Sequence, residues 1–266
     1  MKSKLTRLLA AILLLTCLLT LCAPLCAAAE ETSAEDAAAA EYEAKKAAYR
    51  EKLMADDVTS DDLLIGSWVT FYSFEKDSYE YQLDQMKEAG LNFNIFPAYF
   101  GGGMRDAEVW ADVEKQYEAR DMYYCMNGGL DEDMLRTGVD FAKGKERCIG
   151  YHLIDEPGGA ALPRVGEFCR AYREADPKRY PFVNLFPSYV GTAAMEGDYY
   201  QYCSRFVREA GPENIEYLSH DYYPFHLNGT ALGIFGDMEV IRRVAFENGR
   251  LRTHGFPQST AWMGTR

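Results

Sequence analysis

The stretch Cys148-Ile149-Gly150-Tyr151-His152-Leu153-Ile154-Asp155-Glu156-Pro157-Gly158-Gly159 is a short apolar run that stops at two acids, a proline and two glycines. A helical pattern follows it. Parallel α/β proteins gather reactive groups at the C-terminal ends of their strands, where loops can surround a ligand. Two adjacent carboxylates ending a buried strand are costly to desolvate, which points to chemistry rather than packing. The competing reading makes Asp155 and Glu156 simple caps of the next helix, with Pro157 in its first turn.

Outward from this stretch, strand-like and helix-like segments alternate. Strands are expected at Leu64–Phe71, Leu91–Phe96, Met122–Met126, Ile149–Ile154, Phe182–Phe186 and Ile215–Ser219, with a seventh beginning at Arg250–His254. Amphipathic helices are expected near 77–89, 107–119, 132–142, 162–175, 199–209 and 238–248. A Gly101-Gly102-Gly103 loop follows the second strand. Units recurring at roughly 30 residues have the size of a βαβ element with right-handed crossovers. Neither a Gly-x-Gly-x-x-Gly turn after the first strand nor a P-loop is present, which favours a (β/α)8 TIM-type barrel over a doubly wound nucleotide-binding sheet. The sequence stops at Arg266, soon after the seventh strand, so the barrel is expected to lack its final βα unit.

Residues 1–29 read as a signal peptide: Lys2, Lys4 and Arg7 precede an apolar run from Leu8 to Leu21, and Ala27-Ala28-Ala29 offers a cleavage site. Cys17, Cys22 and Cys26 follow Thr16, Leu21 and Leu25, where a lipoprotein site would carry Gly, Ala or Ser. Soluble, extracytoplasmic export without an integral membrane span is therefore expected. Residues 30–62, rich in Ala, Glu, Asp and Lys, read as a helical or flexible tether, and 63–266 as the barrel domain.

The whole chain carries 28 basic and 41 acidic groups, a net charge of −13. Past residue 29 the balance is 25 against 41, or −16. That acidity disfavours nucleic acid and anionic membrane as partners and suits a neutral ligand. Cys125, Cys148, Cys169 and Cys203 are widely spaced with no Cys-x-x-Cys pair, which argues against zinc; Cys125 and Cys148 read as small buried side chains. Metal chemistry through His152, Asp155, His220 and Asp221 is a competing possibility. With four histidines, no His-x-His or His-Glu-x-x-His motif, and strand alternation setting His152 opposite Asp155, no metal and no cofactor is expected.

Strand ends of a barrel converge on one face. The groups expected there are Trp68 and Tyr72, Tyr99 after Phe96-Pro97, Asn127, Asp155 and Glu156, Asn184 and Tyr189, and His220, Asp221, Tyr222 and Tyr223. Rings, amides and carboxylates around a cleft are what carbohydrate recognition uses: rings cover C–H faces, and polar groups bond hydroxyls. The alternative for any single tyrosine is that it packs a loop against the barrel.

The run Ile149–Pro157 resembles strand four of clan A glycoside hydrolases. Asn184-Leu185-Phe186-Pro187 and Ser219-His220-Asp221-Tyr222-Tyr223-Pro224 are similar to other strand ends of secreted members. The resemblance spans roughly residues 64–260. It implies a (β/α)8 fold, hydrolysis of O-glycosidic bonds in an oligo- or polysaccharide, and Glu156 as general acid/base. Asp155 stands where the family usually has Asn, and a neighbouring anion helps keep Glu156 protonated. Gln258 stands near the place of the nucleophilic Glu expected at the end of strand seven, which leaves Asp221 as the candidate second carboxylate. Trp68, Tyr99, Asn127, Asp155, Asn184, Tyr189, His220 and Tyr222 are the expected substrate contacts. Gln258 and the absent eighth strand also leave open a non-catalytic carbohydrate-binding relative or an inactive fragment. The sequence leaves oligomeric state open.

Overall fold

The computed structural model describes residues 64–69, 76–97, 106–226, 229–249 and 251–256, with scattered positions between 36 and 47. The chain divides into a unit over Met1–Ala48 and a second over Tyr49–Arg266. In the first, Asp36, Ala37, Ala39, Ala40, Glu41, Glu43, Ala44 and Ala47 are helical. The expected signal peptide lies outside the described residues.

In the second unit, strands β1 (Gly66–Val69), β2 (Phe93–Phe96), β3 (Tyr123–Asn127), β4 (Cys148–Asp155), β5 (Tyr180–Leu185), β6 (Tyr217–Asp221) and β9 (Arg252–Phe256) pair in that order, every pair parallel. Between them run α1 (Lys76–Glu88), α2 (Ala107–Ala119), α3 (Glu132–Ala142), α4 (Leu162–Ala175), α5 (Thr192–Met195), α6 (Tyr199–Ala210) and α7 (Gly233–Glu247). The sheet curls until the Trp68 ring of β1 meets the Phe256 ring of β9 at 5.0 Å between centroids. Among the described residues this is a nearly closed (β/α)8 TIM-type barrel short of its final βα unit.

Sequence accounts for most elements. On α1, Tyr79, Leu83 and Met86 recur at helical spacing and are buried. Asp106, Asp131 and Asp198 cap α2, α3 and α6 by accepting backbone N–H groups at the helix starts, and Gln201 completes a capping box at Asp198. A Cβ at Gly166 of α4 would stand 2.4 Å from the Glu209 backbone of α6, so only glycine permits this helix contact.

One core layer lies between sheet and helices, built from Trp110, Tyr117, Tyr124, Tyr151, Tyr172, Tyr202 and Phe206 among others. A second fills the barrel interior: Phe93, Ile95, Cys125, Tyr180 and Phe182, with Trp68, Phe96 and Phe256 against them. All four described cysteines are buried and unbonded to one another.

Most strand boundaries shift by one or two residues from expectation, and three shifts have a local cause. β5 begins at Tyr180 and includes Pro181; β6 pairs with β5 from Asn184 onward, so the proline sits where one side has no ladder to feed. β6 starts two residues late because Pro212–Asn214 forms a 3-10 turn that ends just before Ile215. α7 starts five residues early, through Gly233 and Gly236, which weaken the helical signal.

Candidate functional site at the strand ends

β4 holds an irregularity that decides where its acids point. Its register against β5 runs His152↔Phe182 and then Ile154↔Val183, so Leu153 is an extra residue and the strand bulges. Simple alternation sets His152 and Asp155 on opposite faces. The bulge inverts that: His152 sits inside the barrel against Trp68, Phe96 and Phe182, and Asp155 turns to the same side to reach Asn184.

Glu156 follows with φ of +48°, a left-handed backbone that a non-glycine residue adopts at a cost of about 1 kcal/mol. Its N–H donates to the Asn184 carbonyl at 2.9 Å. Behind it, the Tyr202 hydroxyl donates to the Pro157 carbonyl at 2.7 Å and fixes the loop. The Glu156 side chain opens into a cavity of about 470 Å3, lined also by Tyr189, Val190, Tyr222, Tyr223, His226 and Ala231.

Three carboxyls meet here, and their donors are unevenly distributed. Asp155 Oδ1 accepts from the Asn184 amide at 3.0 Å, and Asp221 Oδ2 from the Tyr223 hydroxyl at 3.1 Å. Asp221 Oδ1 is buried without a well-aligned donor, and Glu156 lies in hydrogen-bonding contact with Asp221. Burial first, then the Asp221 charge, pushes Glu156 up to about 7. Burial also raises Asp221, although its bonds to Tyr223 and Glu156 pull it back; Asp155 is raised by burial and held down by Asn184. With a donor on each aspartate, the largest upward push in the cluster falls on Glu156.

The aromatic walls come from two loops. Tyr189 is half exposed on the short Ser188–Val190 turn after β5, and its ring meets Tyr222 edge-on at 5.1 Å. Burial and the nearby Asp221 and Glu156 push the Tyr189 hydroxyl up to about 12. Asp237 of α7 holds this turn by accepting the Ser188 N–H at 2.8 Å. Gly233 packs directly under Tyr222, where a Cβ would stand 2.3 Å from the hydroxyl.

Of the expected contacts, Glu156, Tyr189 and Tyr222 line the cavity, while Asp155, Asn184 and Asp221 lie bonded or adjacent to Glu156. Trp68 is set in the barrel interior among Phe96, His152 and Phe256. Asn127 ends β3 opposite His152. His220 lies on the face of β6 opposite Ser219, buried beside Asp237 of α7. Tyr72, Tyr99 and Gln258, and the Gly101–Gly103 loop, lie outside the described residues. Among the described residues no three metal-binding side chains converge.

The sequence reading did not anticipate His226 and Ala231, which flank the hairpin of β7 (Phe225–His226) and β8 (Gly229–Thr230). The dipeptide Asn228-Gly229 was its available signal.

No family model and no curated protein matches this sequence. Among solved structures, a candidate α-L-fucosidase from Bacteroides thetaiotaomicron is similar at a TM-score of 0.50 and 9% identity, over 76% of this chain and 78% of that one. A β-mannanase from the blue mussel Mytilus edulis gives a TM-score of 0.46 at 11% identity, over 75% and 87%. A β-1,4-D-mannanase from Cryptopygus antarcticus gives 0.44 at 10%, over 71% and 79%. At 9% identity the likeness to the fucosidase speaks for a shared barrel fold and leaves the chemistry to the site.

Proposed function

We propose that this barrel hydrolyses O-glycosidic bonds of a neutral oligo- or polysaccharide, with Glu156 as the proton donor. The observation that carries this reading is a carboxyl held near pH 7 at the end of β4, facing a cavity walled by three tyrosines. A leaving glycosidic oxygen needs a protonated acid at working pH, and the raised affinity of Glu156 supplies one. Tyr189, Tyr222 and Tyr223 offer ring faces and hydroxyls to a sugar, and among the described residues no Lys or Arg lines the cavity to favour an anionic one. Residues 1–29 serve export and 30–62 tether the barrel. The described helices include none long and apolar enough to cross a membrane.

Asp221 is the partner that tunes Glu156. Paired carboxyls in glycosidases stand about 5–5.5 Å apart when one is a nucleophile and about 6.5–9.5 Å apart when one activates water. Here Glu156 and Asp221 interact directly. That pairing also favours a second reading, a glycan-binding relative that does not turn over.

A reducing-sugar assay on neutral oligosaccharides, with wild type and Glu156→Gln, tests both. Turnover lost in the variant while melting is unchanged supports the first reading. Binding without product supports the second, and unchanged turnover in Glu156→Gln removes Glu156 from the reaction.

A further inference from the structure

A line of polar side chains crosses the barrel interior beneath the site. His254 on β9 lies 3.1 Å through Nδ1 from Ser219 Oγ on β6. Ser219 Oγ lies 3.2 Å from Asn184 Oδ1 on β5, and Asn184 Nδ2 lies 3.0 Å from Asp155 Oδ1 at the end of β4. Ser219 and Asn184 are almost wholly buried, so water does not supply alternative partners.

The direction of this line follows from its donors. An ionised Asp155 only accepts, so Asn184 must turn its NH2 toward it and its carbonyl oxygen toward Ser219. The single hydroxyl proton of Ser219 is then committed to Asn184. Ser219 Oγ can only accept from His254, which must carry its proton on Nδ1. Reversing one bond reverses all, and the reversed line ends on a protonated Asp155.

We infer that His254, Ser219 and Asn184 are positioning residues, joined in a hydrogen-bond chain of fixed direction that holds Asp155 as the anion and so leaves the cluster's proton on Glu156. The chain brings a polarised donor to Asp155 across three strands, while Asp221 is served by Tyr223 from two residues away and by the same Asn184 amide. Among the described residues Glu156 receives no such donor. The charged and titratable groups around it there are Asp155, Asp221, Tyr189, Tyr202 and Tyr223, with Tyr222 and His226 lining the same cavity. What that proton does rests on the glycosidase reading; where it sits does not.

The test is NMR on the full chain with ring-15N histidine and 13C-carboxyl aspartate, with no substrate added. Wild type should show His254 as the neutral Nδ1–H tautomer at pH 7, and Ser219→Ala should lose that preference. In the same variant Asp155 should titrate higher, by about half a pH unit, as Asn184 loses its fixed orientation. An Nε2–H tautomer of His254 in wild type overturns the inference, and this reading needs no variant to fold. Unmoved Asp155 titration in a folded Ser219→Ala overturns the positioning role. A protein that passes both tests yet releases no sugar sinks the glycosidase reading alone.

Discussion

The two sides of the barrel interior are built from different materials. The β1–β3 side is aromatic and aliphatic: Trp68, Phe93, Ile95, Phe96 and Cys125 fill it. The side made by β4, β5, β6 and β9 keeps Tyr180, Phe182 and Phe256 in that lumen but adds His152, Asn184, Ser219 and His254 to them, and the carboxyls stand at its rim. A closed lumen of one material would pack equally well. The asymmetry shows that one half serves as a wedge, while the other carries a wired polar network whose groups are costly to bury unless each is matched.

Sharp separation of stability from chemistry is therefore expected. Phe93→Ala should cost about 3–5 kcal/mol in urea unfolding and leave the acid cluster's titration in place, provided the protein still folds. Glu156→Gln should do the reverse, lowering turnover by about 10³-fold with little change in melting. If Phe93→Ala moves the titration as strongly as Glu156→Gln moves turnover, the halves are not independent.

Smaller effects sharpen the contrast. Tyr189→Ala should weaken glycan affinity by about 5- to 10-fold by titration calorimetry, since its ring is half exposed and props only Tyr222. Glu156→Gly should raise stability by about 1 kcal/mol while abolishing turnover, because glycine adopts φ of +48° freely. A loss of stability in that variant would mean that the carboxyl's contact with Asp221 outweighs the backbone strain.

A further expected effect is a pH slope. Glu156 titrates at about 7 in the folded protein, above its ordinary 4.5, so the folded state binds the proton more tightly. Its contribution is full below the unfolded value and is lost as pH rises to about 7. Stability should thus decline between about 4.5 and 7 in wild type, and less so in Glu156→Gln, by chemical denaturation across that range. Turnover should fall above about 7 as the acid ionises.

Much of this was legible in residue order. Helix periodicity, capping aspartates and apolar runs marked the elements, and the end of β4 stood out because Asp155 and Glu156 interrupt an apolar strand. Alternation along β6 was also available: Leu218 and His220 share the face opposite Ser219 and Asp221, which places His220 toward α7. The β4 bulge left no such trace, since an extra residue in a strand looks like any other apolar residue. Its register exists only against β5. Asp237, one position ahead of the expected 238–248 helix, becomes the anchor of the Tyr189 turn only when two residues 49 positions apart meet.

Leu153 has a consequence for how this chain tolerates change in length. Strand side chains follow a two-beat rhythm, and one inserted beat is what lets an interior histidine and a rim acid share a side. Deleting Leu153 would keep every carboxyl of the cluster and every strand, yet put Asp155 out of phase with Asn184. The acid cluster is thus tuned by a count of residues as much as by their identities.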